Sequence, residues 1–258
     1  MIKGLYTAYT GMINEQHRMD VLTNNLANAD TNGFKKEGAT SQSFDDVLGY
    51  KIKDVTEGYR LARRTGVHNP GVKIGEGYTD FSQGPLKVTD NTYDLALTDK
   101  GFFAVEFTNK SGKTTVKYTR EGNFTLTQEG VLVTRDGDFV LDENGKHIKI
   151  DPIATTKIHV NGDVEQNGRV VATIGVTDFE DYNYLERYGE NYFEPIEGAK
   201  ETEAPAQIYS GYLETSNMSV VTEMVNMITV SRAYETNQKV ITTFDGTLEI
   251  AANQLGKI

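Results

Sequence analysis

The apolar positions of this chain change period twice. Near the N-terminus Leu5, Tyr9, Met12, Gln16, Met19, Thr23 and Leu26 follow an alternating four-and-three spacing. Near the C-terminus Val220, Met224, Met227, Ser231, Tyr234, Gln238, Ile241, Asp245, Leu248, Ala252 and Leu255 do the same. Such spacing keeps one stripe of a helix turned toward a partner helix, because seam positions average about 3.5 residues apart. It predicts a helix from Ile2 to Asn28, closed by the turn signal Asn28-Ala29-Asp30-Thr31-Asn32-Gly33, and a second helix with Ser219 as its N-cap and Glu223 in its first turns. Both seams are leaky: Gln16, Thr23, Ser231, Gln238 and Asp245 stand where a stable two-stranded coil carries Leu or Ile. Apolar residues off the seams, such as Ile13, Val21, Val221, Val225 and Ile228, can be buried only if further neighbours arrive. The expectation is a pair of helices that is marginal alone and completes itself in an assembly.

Between the helices the period shortens. Residues 35–70 read as an irregular linker with one short helical turn around Phe44 to Leu48. From Val72 onward short apolar runs alternate with Asp-Gly and Asn-Gly turns. The runs include Asp94 to Thr98, Gly101 to Phe107, Val116 to Thr119, Phe124 to Thr127, Val131 to Thr134, Phe139 to Leu141, His147 to Ile150 and Val170 to Val176. Turn signals fall at Gln128-Glu129-Gly130, Arg135-Asp136-Gly137 and Asp142-Glu143-Asn144-Gly145. Antiparallel hairpins follow from that chemistry, and the lack of helical crossovers argues against a parallel sheet. Asp178 to Gln207 reads as a turn-rich return segment whose six aromatics must pack. The fold class is therefore α+β, with paired terminal helices and a central antiparallel all-β domain. The boundaries are 1–34 plus 211–258 for the helical part, 35–70 for the linker and 71–210 for the β-domain.

Composition narrows the function. With 258 residues, 38% hydrophobic and 24% charged, the chain is long enough for substantial cores. A net charge of −11 disfavours nucleic acid and anionic membrane surfaces as partners. No run approaches the roughly 20 apolar residues of a membrane span, and the start lacks the apolar core of a secretory signal. With no cysteine, disulfides and thiolate chemistry are excluded.

Catalytic constellations are missing too. His17, His68, His147 and His159 are scattered without metal-ligand spacing. Asp136-Gly137-Asp138 with Asp142-Glu143 breaks the order of a calcium loop at Phe139-Val140-Leu141. Gly71 to Gly77 lacks the context of a phosphate loop, and no Ser occupies a nucleophile elbow. The expectation is no enzyme, no metal and no cofactor.

One resemblance spans nearly the whole chain. Asn24-Asn25-Leu26-Ala27-Asn28-Ala29-Asp30-Thr31-Asn32-Gly33-Phe34-Lys35 resembles the N-terminal signature of bacterial flagellar rod and hook proteins, matching every defined position of that pattern. Gly211-Tyr212-Leu213-Glu214-Thr215-Ser216-Asn217-Met218, with Glu223 to Ile228 and Ser231 to Glu235, resembles the C-terminal signature. Asp99 to Val105, Tyr118 to Phe124 and Gly189 to Phe193 agree in the middle. By length and by Leu213 to Asn217 the chain is most similar to the distal-rod branch, with the proximal-rod branch second. Departures lie in the Gly49 to Val67 stretch and the late tail.

The resemblance implies a structural subunit of the flagellar rod that polymerises through a coiled-coil domain and transmits motor torque to the hook. Its partners would be copies of itself, neighbouring rod and hook subunits, the flagellar export apparatus and possible bushing proteins. Its place would be the basal body outside the cytoplasmic membrane, reached without a cleaved signal peptide. Leu5, Tyr9, Met12, Met19, Leu26, Val220, Met224, Met227, Ile228, Tyr234, Ile241, Leu248 and Leu255 would pack the assembly. Asn24, Asn25, Asn28, Thr31, Gly33 and Phe34 would form the turn where the helix leaves the core. A surface or phage-tail-like fibre subunit shares the helix–β–helix layout without the paired signatures. A β-domain hydrolase would need two carboxylates at fixed separation across a cleft.

Overall fold

The computed structural model describes residues 2–51, 63–109, 112–189 and 191–255. They fall into two compact units. The first unit draws on Met1–Ala27, Glu37–Asp80 and Ser219–Ile258, and the second on Asn28–Lys36 and Phe81–Met218.

The first unit holds helix α1 (Ile2–Ala27), four strands and the long C-terminal helix α2 (Val220–Leu255). The four are β1 (Glu37–Ser43), β2 (Val47–Lys51), β3 (Arg63–His68) and β4 (Val72–Thr79). β1 pairs antiparallel with β4, and β2 with β3. The segment expected to be a linker thus carries strands. Its Phe44 to Leu48 stretch runs into a strand rather than a helical turn, because β3 offers Val47 and Leu48 a ladder that a lone helical turn lacks. α2 begins as expected: the Ser219 carbonyl accepts the first helical bond from the Glu223 N–H at 3.0 Å. α1 packs on α2 and on β1 and β4. The Asn14 amide donates to the Ser41 hydroxyl at 2.9 Å, and the Thr7 hydroxyl to the Pro70 carbonyl at 3.3 Å. Among the described residues no helix is long and apolar enough to cross a membrane.

The second unit is antiparallel β-structure. It opens with β5 (Leu86–Val88), β6 (Leu95–Thr98), β7 (Phe102–Thr108), β8 (Thr114–Thr119), β9 (Phe124–Leu126), β10 (Leu132–Thr134) and β11 (Phe139–Val140). β12 (Thr156–Ile158), β13 (Asp163–Gln166) and β14 (Arg169–Thr173) form a separate meander. Then come β15 (Val176–Phe179), β16 (Leu185–Tyr188), β17 (Tyr192–Pro195), β18 (Glu201–Glu203), β19 (Gln207–Ser210) and β20 (Tyr212–Glu214). The main sheet runs β16-β17-β8-β7-β11-β10-β9, with β15 bridging β7 and β18. The late strands close the unit: β19 pairs with β6 and β20 with β5.

β7 explains its unbroken apolar run. Phe103 and Val105 enter one core cluster with Leu97, Phe124, Leu132 and Ile174, while Phe102 and Ala104 enter a second with Tyr118, Phe179 and Phe193. A strand covered on both faces loses the alternation of a half-buried one. The turn signals act as read: the N–H groups of Gly130, Gly137 and Gly145 bond the carbonyls of Thr127, Thr134 and Asp142. Two expectations change. His147 to Ile150 makes isolated bridges, to Leu141 and Val131, instead of a continuous strand. The return segment after Asp178 holds β16, β17 and β18; Phe179, Tyr182 and Phe193 enter the second cluster and Tyr192 the first, while Tyr184 and Tyr188 are exposed.

Candidate assembly site

The helix pair begins with two glycines. A Cβ on Gly4 would sit 3.0 Å from the Phe244 ring, and one on Gly11 would sit 3.1 Å from the Asn237 amide. Residue 4 thus lies level with 244, and 11 with 237, so the helices run antiparallel. The residue types fit that closeness: a side chain at either glycine would press on the Phe244 ring or the Asn237 amide, and the close fit offsets the roughly 1 kcal/mol a helical glycine costs.

The stripe of α2 turned inward carries Glu223, Met227, Val230, Tyr234, Asn237, Ile241 and Phe244, all shielded at least in part. The four-and-three spacing is that expected, and it shares Met227, Tyr234 and Ile241 with the sequence pattern. The alternate positions fall one residue earlier, at Val230 and Phe244 rather than at Ser231 and Asp245. On α1 Ala8, Thr10, Asn14 and Asn25 are buried, Gly4 and Gly11 lie close against α2 side chains, Leu5, Met12, Met19 and Leu26 are half-buried and Tyr9 is exposed. Val220, Met224, Ile228 and Leu248 are exposed, and the side chain of Leu255 lies outside the described residues.

Among the described residues both helices leave apolar side chains uncovered. α1 exposes Tyr6 (53%), Tyr9 (49%) and Ile13 (38%), and α2 exposes Val221 (72%), Met224 (48%), Val225 (56%) and Ile228 (54%). α2 also borders a groove of about 540 Å³ lined by Thr236, Val240, Thr243, Phe244 and Thr247.

The signature turn is built separately. In the first unit, the Asn25 amide donates to the Glu37 carbonyl at 2.8 Å and its oxygen accepts the Glu37 N–H at 2.9 Å. Asn24 is exposed at the same end of α1. In the second unit, the Thr31 N–H and hydroxyl donate to the carbonyl and side chain of Asn28. Gly33 has φ +68°, and a Cβ there would lie 2.5 Å from the Arg120 carbonyl carbon. Its N–H donates to the Glu214 carbonyl at 2.7 Å. Phe34 is buried under the Arg187 guanidinium, 4.3 Å from its ring centre.

Sequence reasoning assigned no role to the ionic cluster beside it. The Lys35 ammonium donates to Glu214 Oε1 at 2.5 Å and to the Ser82 carbonyl at 2.8 Å. Glu214 Oε1 also accepts the Gly84 N–H at 2.8 Å, and its Oε2 meets Arg120 Nη1 at 3.4 Å. Arg120 Nη2 reaches the Asp99 carbonyl at 2.7 Å. All three side chains are buried. A charge is tolerated there only because each finds partners. The available signal was a Lys and a Glu each following a buried apolar residue, Phe34 and Leu213, at matching places in the two signatures.

Comparison with known proteins agrees with both ends and the middle. Residues 5–35 match the model of the flagella basal body rod protein, and residues 96–172 that of the D1 domain of the flagellar hook protein FlgE/F/G. Residues 209–255 match the C-terminal model of the flagellar basal body rod FlgEFG protein. The chain belongs to the flagellar basal-body rod protein family and is a structural rod subunit of the flagellum. It is 31% identical to the rod protein FlgG of Buchnera aphidicola subsp. Schizaphis graminum, with 96% of this chain and 98% of that one covered. It is 33% identical to the rod protein FlgF of Caulobacter vibrioides and 31% identical to the hook-basal body complex protein FlhO of Bacillus subtilis, each over 100% of both chains.

Proposed function

We propose that this subunit polymerises through its terminal helices, as a coiled-coil domain, and carries torque along the rod toward the hook. The observation that carries the reading is the pair of uncovered apolar faces on helices already joined to each other. A helix pair that still exposes Tyr6, Tyr9, Val221, Val225 and Ile228 gains by meeting further helices. Copies of itself and neighbouring rod and hook subunits are its partners; the distal-rod type is the first reading of this chain and the proximal-rod type the second. The protein is a structural element without catalysis, delivered by the flagellar export apparatus, with bushing proteins among its partners.

Two substitutions separate folding from assembly. Met227→Asp places a charge on the inward stripe; it is expected to leave the β-unit folded and abolish incorporation into rods. Ile228→Asp places the charge on the exposed face, so the isolated protein keeps its melting temperature while incorporation falls at least tenfold. Normal motility and rod incorporation in both variants would sink the proposal.

A further inference from the structure

The two uncovered faces lie at opposite ends of the helix pair. By the observed alignment, in which residue 4 stands beside 244 and 11 beside 237, Tyr9 is near the level of 239 and Ile228 near that of residue 20. One chain cannot join them to each other. The faces also point to opposite sides of the pair, away from Gly4 and Gly11 on α1 and from Val230 on α2, so a single two-fold partner cannot cover both. We infer that the faces meet head to tail between copies: the Tyr6-Tyr9-Ile13 face of one subunit seats on the Val221-Val225-Ile228 face of the next. The inference rests on assembly through the terminal helices and names the contact that makes it.

Spacing and charge select the register. At 100° per residue, Val221, Met224, Val225, Ile228, Arg232 and Glu235 share the side of α2 opposite its inward stripe. An antiparallel approach sets Ile13 on Val225, Tyr9 on Ile228 and Tyr6 on Arg232, where a guanidinium over a tyrosine ring is favourable. The same register brings Lys3 level with Glu235. Lys3, Arg232 and Glu235 are all exposed and make no ion pair among the described residues. Within one chain the paired residue numbers total 248; in this contact they total 237 or 238. At 1.5 Å per residue the neighbour is displaced by roughly 15 Å along the helix axis. A contact between two different faces that also carries an axial displacement cannot close into a ring, so it propagates as a filament.

Area explains why one such contact is not a dimer. At on the order of 100 Å² of exposed surface per side chain, the seven apolar residues offer roughly 700 Å², below the 1,200 Å² or more of a stable pair. The subunit is therefore monomeric when dilute and held only where several neighbours contact it together.

The absence of native cysteine allows a direct test. In isolated basal bodies that contain Tyr9→Cys/Ile228→Cys, mild oxidation is expected to give a reducible ladder of the chain's own multiples, and Ile228→Cys alone none. A dimer from Ile228→Cys alone, a linked product with a different axial protein, or no ladder from an incorporated double variant overturns the contact while leaving assembly through the helices intact. Charge exchange is independent of oxidation. Lys3→Glu and Glu235→Lys should each lower incorporation severalfold, and the combined variant should restore it. Without that restoration the register is wrong. Loss of incorporation through Ile228→Asp would still uphold the broader reading.

Discussion

At the scale of single residues, the signature turn is held by one glycine and one carboxylate. Gly33 adopts a left-handed backbone against the main chain of Arg120, where neither the conformation nor the space admits a side chain. Gly33→Ala is expected to cost about 1–3 kcal/mol, read as a lower denaturation midpoint of the isolated protein. Glu214 is the more severe case. Its removal leaves the Lys35 and Arg120 charges buried with no carboxylate between them. Glu214→Ala should destabilise the β-unit by about 3–5 kcal/mol, the usual cost of breaking a buried ion pair from one side. Loss of less than about 1 kcal/mol in urea titration would show that water reaches the cluster. The family signatures display these residues, yet nothing local announces their pairing, since Lys35 and Glu214 stand 179 positions apart.

At the scale of elements, the second unit buries or half-buries tyrosines whose hydroxyls face carboxylates. Tyr118 on β8 donates to Glu201 at 2.6 Å, Tyr182 to Asp178 at 2.7 Å and Tyr192 on β17 to Asp138 at 2.7 Å. Burial, and then the neighbouring carboxylate, pushes the Tyr118 and Tyr182 hydroxyls well above the usual tyrosine range. Tyr192 is raised chiefly by burial, with the bond from Thr134 opposing and Asp138 adding to the rise. The folded state holds these protons more tightly than the unfolded chain. Their stabilisation is whole below about pH 10 and is lost as the pH climbs beyond it. The melting temperature should therefore fall steeply above about pH 10, and Tyr118→Phe should make that fall shallower. An unchanged slope in the variant would assign alkaline unfolding to other groups. The strands themselves were largely legible from their turns. Those in the Asp178 to Gln207 segment were not, because Tyr, Glu and Arg at β16 and β17 spread burial unevenly and blur the alternation.

At the scale of the whole molecule, the second unit is completed by its last strands. Ile208 on β19 sits in the main core cluster, and β20 delivers Glu214. A chain ending after Met218 should retain the melting transition of this unit within a few degrees, since all its strands and its ionic cluster are present. A chain ending after Ala206 should lose that transition, which circular dichroism would report. Retention in the shorter chain would show that the late strands only decorate the core. The chain must therefore be available nearly to α2 before this unit can close.

The two terminal helices and most hairpins of the second unit followed from the sequence by itself, because period and turn chemistry are local properties; the strands of 37–79 did not. A four-and-three repeat means a helix with a seam whatever surrounds it, and Asp-Gly between apolar runs means a hairpin. The family was legible for a related reason, since its signatures gather turn and packing residues into short contiguous runs. The phase of the seams was decided only in three dimensions. A helix of 3.6 residues per turn leaves two stripes one residue apart nearly equivalent in pattern, and the close approach at Gly4 and Gly11 chose the one through Ala8, Val230 and Phe244. The ionic cluster likewise exists only because folding brings the two signatures together. Attraction between Lys35 and Glu214 depends on distance and burial, and neither is a property of sequence separation.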